Sequence, residues 1–178
     1  MLAAPALRHR ILGIDPGSRT TGYGLIDTDG RHSLRLASGC IRVGHQPWPD
    51  RLGLIFDAIS ELVATHRPHE MAVEQLIFAR DPTAALKIGQ ARGAVLCAAL
   101  KGGVLVHEYS PKSVKLAVVG TGGADKRQVQ EMIRLLLALP EAPAEDEADA
   151  LAIAVCHAHS MGIPARRRVA ASWRDWRP

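Results

Sequence analysis

Four carboxylates stand where a folding chain has little use for charge. Asp15 closes the run Arg10-Ile11-Leu12-Gly13-Ile14, where a buried strand would favour Val or Ile. It also precedes Pro16, so an Asp that merely starts a turn is the plain alternative. Glu74 lies among Met71, Ala72, Val73, Leu76, Ile77 and Phe78. An acid inside such a strand needs a buried arginine or a metal ion, because unpaired burial shifts its pKa or destabilises the fold. Asp149 falls in the last helical stretch, residues 145–160. At about 100° per residue it lies between Ile153 and Cys156, within the apolar arc of Ala148, Leu151, Ala152 and Val155. Asp146 precedes it by three residues and projects from the same side. Glu145, Asp146 and Glu147 fill the first turn of that helix, where attraction to the helix dipole is by itself a sufficient reason for acids.

Two acids from strands and two from one helix make an all-oxygen donor set. Such a set suits a hard cation, Mg2+ or Mn2+, and disfavours zinc. No rival HxxH or HExxH pair is expected to compete with it. His157 and His159 are two apart, face different sides of the helix and read as ordinary side chains.

The apolar pattern outlines the elements that must carry these residues. Short runs at 10–15, 21–27 and 33–43, separated by Pro16-Gly17-Ser18 and Asp29-Gly30, predict three consecutive antiparallel strands. From Asp50 to Arg67 the residues Leu52, Ile55, Phe56, Ile59, Leu62 and Val63 recur at three and four, one face of a helix that Pro68 stops. Residues 71–76 read as a fourth strand. Asp81-Pro82 opens a helix to about Leu100, Gly102-Gly103 ends it, 104–109 is a fifth strand, and Asp125 opens a further helix. The order β-β-β-α-β-α-β-α-α predicts an α/β fold with a mixed five-stranded sheet flanked by helices.

Length and composition bound the rest. The 178 residues suit one domain, and 47% hydrophobic with 22% charged residues excludes a disordered or fibrous chain. The longest apolar runs, 94–100 and 150–156, fall short of the roughly 20 residues that span a bilayer. No basic residue precedes the apolar stretch of Met1 to Leu7, as a secretory signal would require. A cytoplasmic protein without membrane contact is expected. Cys40, Cys97 and Cys156 are far apart, form no CxxC, and read as small buried apolar residues. With 4% aromatic residues, a surface gripping single strands mainly by base stacking is not expected. The net charge of +4 resides in residues 161–178, with five arginines against one aspartate. The chain therefore divides into an N-terminal extension (1–9), a charge-balanced central domain (10–160) and a basic tail (161–178).

Five segments together resemble the RuvC family of bacterial Holliday junction resolvases over roughly residues 10–160. They are Ile14-Asp15-Pro16-Gly17-Ser18-Arg19-Thr20-Thr21-Gly22-Tyr23-Gly24, Val73-Glu74-Gln75, Gly89-Gln90-Ala91-Arg92-Gly93, Val118-Val119-Gly120 and Asp146-Glu147-Ala148-Asp149-Ala150-Leu151-Ala152. The resemblance implies an RNase H-like fold and a metal-dependent endonuclease of homologous recombination and DNA repair. Such an enzyme nicks two strands of like polarity symmetrically across a four-way DNA junction. By position, Asp15, Glu74, Asp146 and Asp149 become the catalytic, metal-binding acids. They would hold two ions of Mg2+ or Mn2+ per site, one activating water and one receiving the departing 3′ oxygen, with Asp15 bridging both. A homodimer is implied, and so is a branch-migration helicase complex of RuvA and RuvB as partner. Lys115 and Lys126 match family lysines near the active site and are read as phosphate contacts rather than solvated charges. Lys126 sits at a helix start, where a cation is otherwise unfavourable. Ile77 occupies the place of an aromatic that wedges into the junction in some relatives, while the aromatic here is Phe78. Both residues, with Arg80, are expected to contact DNA. Gly89 and Gly93, four apart, would admit a closely approaching helix from the same chain or from a dimer partner.

Rival readings are narrower. Asp15-Pro16-Gly17 with Gly22 and Gly24 also resembles the phosphate loop of the actin-like ATPases, but those duplicate the domain and this chain has no internal repeat. A noncatalytic junction binder would have lost acids, and all four are present. Other RNase H-like nucleases share the acid-bearing elements and differ in substrate. The tail, with Arg166-Arg167-Arg168, Trp173 and Trp176, reads as a phosphate contact, as a docking segment or as a solubilising end. Removal of residues 165–178 separates these readings. Phosphate contact predicts a shallower fall of log affinity with log salt, by about one unit of slope per phosphate given up. Titration of fluorescent DNA over a salt series measures it, and an unchanged slope rules phosphate contact out.

Overall fold

The structure, a computed structural model, describes residues 8–76 and 81–161. Strands β1 (His9–Asp15), β2 (Thr20–Thr28) and β3 (Ser33–Arg42) form an antiparallel meander, followed by α1 (Trp48–His66). Next come β4 (Glu70–Glu74), α2 (Pro82–Lys101) and β5 (Leu105–Tyr109), then three helices, α3 (Pro111–Val119), α4 (Lys126–Leu136) and α5 (Glu145–Met161). The sheet order is β3-β2-β1-β4-β5, with β4 parallel to both β1 and β5. The expected mixed five-stranded sheet flanked by helices is the one found.

Side-chain alternation sorts the sheet into two apolar faces. Leu12, Ile14, Leu25 and Met71 pack beneath α1 and α2 with Ile55, Ile59, Val95 and Ala98. Ile11, Ile26 and Ala72 pack on the other face beneath α5, which α3 and α4 cover in turn. Helix α5 is therefore sandwiched, and Ala148 and every residue from Ala150 to Ala158 are buried. A helix apolar on nearly all sides is what such a position requires.

Helix α3 went unforeseen. Its signals are present: Ser110 accepts from the Ser113 backbone N–H at 3.1 Å, Pro111 occupies the first helical position, and Gly120 closes the helix at φ 82°. The run Lys112 to Lys115 has no pronounced apolar period, which hid it. The cysteine reading needs correction. Only Cys156 is buried, Cys40 is intermediate and Cys97 is exposed, because Cys97 lies away from the stripe of α2 that Ala91, Val95, Ala98 and Ala99 bury. Among the described residues, little packs against the pair Gly89 and Gly93. A methyl at Gly93 would meet nothing within 4 Å, and one at Gly89 only Leu76 at 3.7 Å.

Three other glycines decide how near α5 comes to the sheet. Gly13 of β1 faces Gly24 of β2, and Asp15 faces Gly22. A Cβ at Gly13 would lie 2.1 Å from the Ala150 carbonyl oxygen, and one at Gly22 only 1.9 Å from that of Asp146. At Gly24 it would lie 2.7 Å from Leu151 side-chain carbons. Helix backbone thus rests on strand backbone. Gly22→Ala is expected to lower stability by about 1–3 kcal/mol, the ordinary penalty of overpacking. Gly53→Ala, in α1 with nothing within 4 Å of the added methyl, should instead raise it by up to about 1 kcal/mol. Thermal melts of the two variants check the opposite signs.

Candidate active site

Each acid is carried to one sheet edge by a different constraint. Asp15 is the last residue of β1 and Glu74 the last of β4; Ile14 pairs in parallel register with Val73, so the two carboxylates end adjacent strands on the same face. That is the face α5 covers, and the glycine contact at Gly22 sets the first turn of α5 against the end of β1. Asp146 and Asp149 belong to that turn and the next.

Asp15, Glu74 and Asp149 line a cleft of about 310 Å3 together with Lys115 of α3, Lys126 of α4, Pro111, Val114, Val129 and Ile153. Asp146 is not part of the lining, but its charge acts on Asp15 and Asp149. Among the described residues none of the four acids forms an ion pair, and no described arginine neutralises Glu74. Arg92 reaches the Glu74 backbone carbonyl and pairs through its guanidinium with Glu108 instead.

The electrostatics follow from that crowding. Burial, then the charges of Glu74, Asp149 and Asp146, push the Asp15 carboxyl up to about 7, with Lys126 opposing. Glu74 is raised by burial and Asp149 against the pull of Lys115 and Lys126. Asp149 is raised by burial, with Glu145 and Asp146 adding to it and Lys126 and Lys115 opposing. The hydrogen bond to Glu145 raises the Lys126 ammonium and ties it to the rim. Asp125 steadies that lysine by capping α4, exchanging two 2.9 Å hydrogen bonds with Gln128. An all-oxygen cluster whose members hold one another's pKa values up lacks positive charge, and its donors fit hard divalent cations.

Not every sequence-stated residue is gathered here. Ile77, Phe78 and Arg80 lie outside the described residues, as does the tail from Gly162 onward. The other two first-turn acids act structurally: Glu147 accepts from the Ser38 hydroxyl at 2.6 Å, and Glu145 holds Lys126. Sequence reasoning missed Gly13, Gly22 and Gly24 as the positioning residues; their alternation on facing strands is the signal that could have found them. It also overlooked a histidine pair at HxxH spacing, His66 and His69. His69 Nδ1 accepts from the Arg10 backbone N–H at 2.9 Å, and its ring stacks on His9.

The family described as crossover junction endodeoxyribonuclease RuvC matches residues 11–157. The crossover junction endodeoxyribonuclease RuvC of Marinobacter nauticus is 58% identical over 149 residues, 84% of this chain and 85% of that protein. The protein of the same name from Alkalilimnicola ehrlichii is 52% identical over 163 residues, 92% of this chain and 99% of its own. Among solved structures, T. thermophilus RuvC in complex with a Holliday junction substrate superposes with a TM-score of 0.82 at 38% identity, covering 86% of this chain and 94% of that one. The yeast mitochondrial resolvase Ydc2, at 15% identity and a TM-score of 0.62, shares the fold.

The raised Asp15 carboxyl has a consequence for stability without metal. Its folded pKa lies above its unfolded one, so the folded state keeps a proton that the unfolded chain has lost, and the associated stability disappears as pH rises through about 7. In chelator, the melting temperature of the wild type should fall between about pH 5 and pH 8 more steeply than that of Asp15→Asn. Parallel curves for the two proteins would refute the coupling.

Proposed function

The chain belongs to the RuvC family of crossover junction endodeoxyribonucleases, and from this together with the acidic cleft we infer how its own residues resolve four-way DNA junctions. It is a structure-selective endonuclease that resolves Holliday junctions. The observation that carries the site assignment is that Asp15, Glu74 and Asp149, from three separate elements, line one cleft with two lysines and, among the described residues, no arginine.

Asp15, Glu74, Asp146 and Asp149 are the residues that hold divalent cations, with Mg2+ or Mn2+ matching the oxygen donors. Such cations, when bound in a pair, supply an activated water and a counter-charge for the departing 3′ oxygen. Asp15 gives up its proton when positive charge enters the cleft. Lys115 and Lys126 face the scissile phosphate from α3 and α4, offering charge-assisted hydrogen bonds to its oxygens. Ile77, Phe78 and Arg80 follow Glu74 in the chain and are assigned to the junction bases and backbone beside it.

Two symmetric nicks need two copies of the site, so the working unit is a homodimer. The open space over Gly93 and the exposed Leu86 and Leu100 of α2 support that surface as the contact. No helix among the described residues is long and apolar enough to cross a membrane; the protein acts in the cytoplasm, with RuvA and RuvB delivering the junction. For the chain's organisation the same reading is proposed: an N-terminal extension at 1–9, the nuclease unit at 10–160 and a basic tail at 161–178.

Matched four-way junction, linear duplex and RNA/DNA hybrid substrates test this reading. In Mg2+ the wild type should nick the junction at symmetric positions and leave the other two largely intact. Asp149→Asn should slow junction cleavage by about a hundredfold or more, comparable to losing one group that stabilises developing charge. Equal cutting of the hybrid would defeat the substrate assignment, and an undiminished rate for Asp149→Asn would remove that residue from the site.

A further inference from the structure

The face that α5 covers has a second group of metal-ligating side chains at its opposite end. Glu70 opens β4 four residues before Glu74, about 13 Å along the strand. His157 lies eight residues beyond Asp149 on α5, about 12 Å along the helix. His107 of β5 and His9 of β1 complete the group. These residues take no part in the acidic cleft.

Their atoms converge. The Glu70 Oε2 is hydrogen-bonded to His157 Nε2 and lies 3.2 Å from His107 Nε2, while Oε1 lies 3.6 Å from His9 Nε2. One donor atom each from Glu70, His107 and His157 all fall within 4.8 Å of one another, and among the described residues no other three His, Cys, Asp or Glu do so. The His157 ring is fully buried, stacks on His107 with centroids 4.5 Å apart, and has its Nδ1 2.7 Å from the Tyr109 hydroxyl. The Nε2 atoms of His107 and His9 are buried, near enough to Glu70 to be attracted yet making no hydrogen bond. Two buried ring nitrogens thus aim at one carboxylate without the geometry to bond it.

Two imidazoles and one carboxylate are the donor set of zinc sites that keep a fourth position open. Bonds of about 2.0–2.1 Å place neighbouring ligand atoms of a tetrahedron about 3.3 Å apart, and the spacing between His107 and Glu70 already meets this. A ligating histidine ordinarily has its other nitrogen fixed by an outer partner, which Tyr109 supplies to His157. His9 and His107, with side chains 30% and 26% exposed, leave a path from solvent. Burial pushes the Glu70 carboxyl up, but the His157 hydrogen bond and the charges of His157, His107 and His9 outweigh it and hold the group below its usual range. Glu70 is therefore ready as an anion, and protons compete with a metal for the imidazole lone pairs. We propose that Glu70, His107 and His157 form a second divalent-metal site, for zinc or a similar borderline ion, separate from the hard-cation cleft.

Co2+ as a visible probe tests this on the full chain with Mg2+ in excess. The wild type should bind one Co2+ per chain with the absorption of a tetrahedral ion and no thiolate charge-transfer band, Zn2+ should displace it, and either ion should raise the melting temperature. Glu70→Gln and His107→Gln should each weaken binding at least about tenfold, and Tyr109→Phe by about 10–100-fold. His107→Gln should retain Mg2+-dependent junction cleavage, which reports that it folds; should it not, Glu70→Gln is read the same way. No Co2+ absorption under Mg2+, a thiolate band, or unchanged binding in the substituted proteins overturns the site and leaves the cluster a buried hydrogen-bonded ion pair.

Discussion

The close contact between the backbone of α5 and the backbone of β1 and β2 governs the rest of the molecule. Positions 13, 22 and 24 lack side chains, and a methyl on any of them would strike Ala150, Asp146 or Leu151. With the helix lowered onto the sheet, its own carboxylates come level with the strand-end carboxylates rather than a side chain's length above them. Strand alternation alone could bring Asp15 and Glu74 together, since β1 and β4 are parallel neighbours in register. It could not bring Asp146 and Asp149, which depend on how a helix sits. Apolar packing fills the remaining interface, and small residues do so because the gap is narrow: Ala148, Ala150, Ala152, Ala154 and Ala158 are all buried.

Much of this was readable from the chain because the strands and helices follow simple periods. The three-strand meander, the helix after Asp50 and the capped starts at Asp81 and Asp125 were found within a few residues of their observed bounds. The acids were conspicuous because each interrupts an apolar stretch. What stayed hidden is what depends on distance in space. Helix α3 carries no strong apolar period, its burial resting on Val114 and Val118. The exposure of Cys97 is set by which stripe of α2 faces the core, and that stripe is a property of the packed helix. The Glu70, His107 and His157 group draws on two strands and a helix, so no local spacing announces it, and His157 viewed alone in its helix is one more residue of an apolar face.

The two ends of α5 present opposite electrostatic problems. At its amino end the partial positive charge attracts Asp146 and Asp149, and near its carboxyl end His157 is hydrogen-bonded to Glu70. Strand-end acids join the first group and accumulate negative charge that burial and mutual repulsion resist, which is why Asp15 holds its proton to about pH 7. Imidazoles surround the single acid of the second group, and Glu70 is held ionised. One cluster is deficient in positive charge and the other nearly self-neutralising.

That contrast separates the ions each end can retain. An oxygen-only cluster gains mostly by charge neutralisation, so it accepts small hard cations and exchanges them readily. Nitrogen donors add directional bonds that hard cations do not reward, and they select borderline metals by donor type rather than by charge. Along one helix about 12 Å apart, the two sets can therefore coexist without exchanging occupants, provided the imidazole end is filled or self-paired. A borderline ion drawn into the acidic cleft would gain the charge term but forgo the nitrogen bonds. The same face of the sheet thus keeps its acidic cleft distinct from the imidazole cluster by donor chemistry as well as by distance.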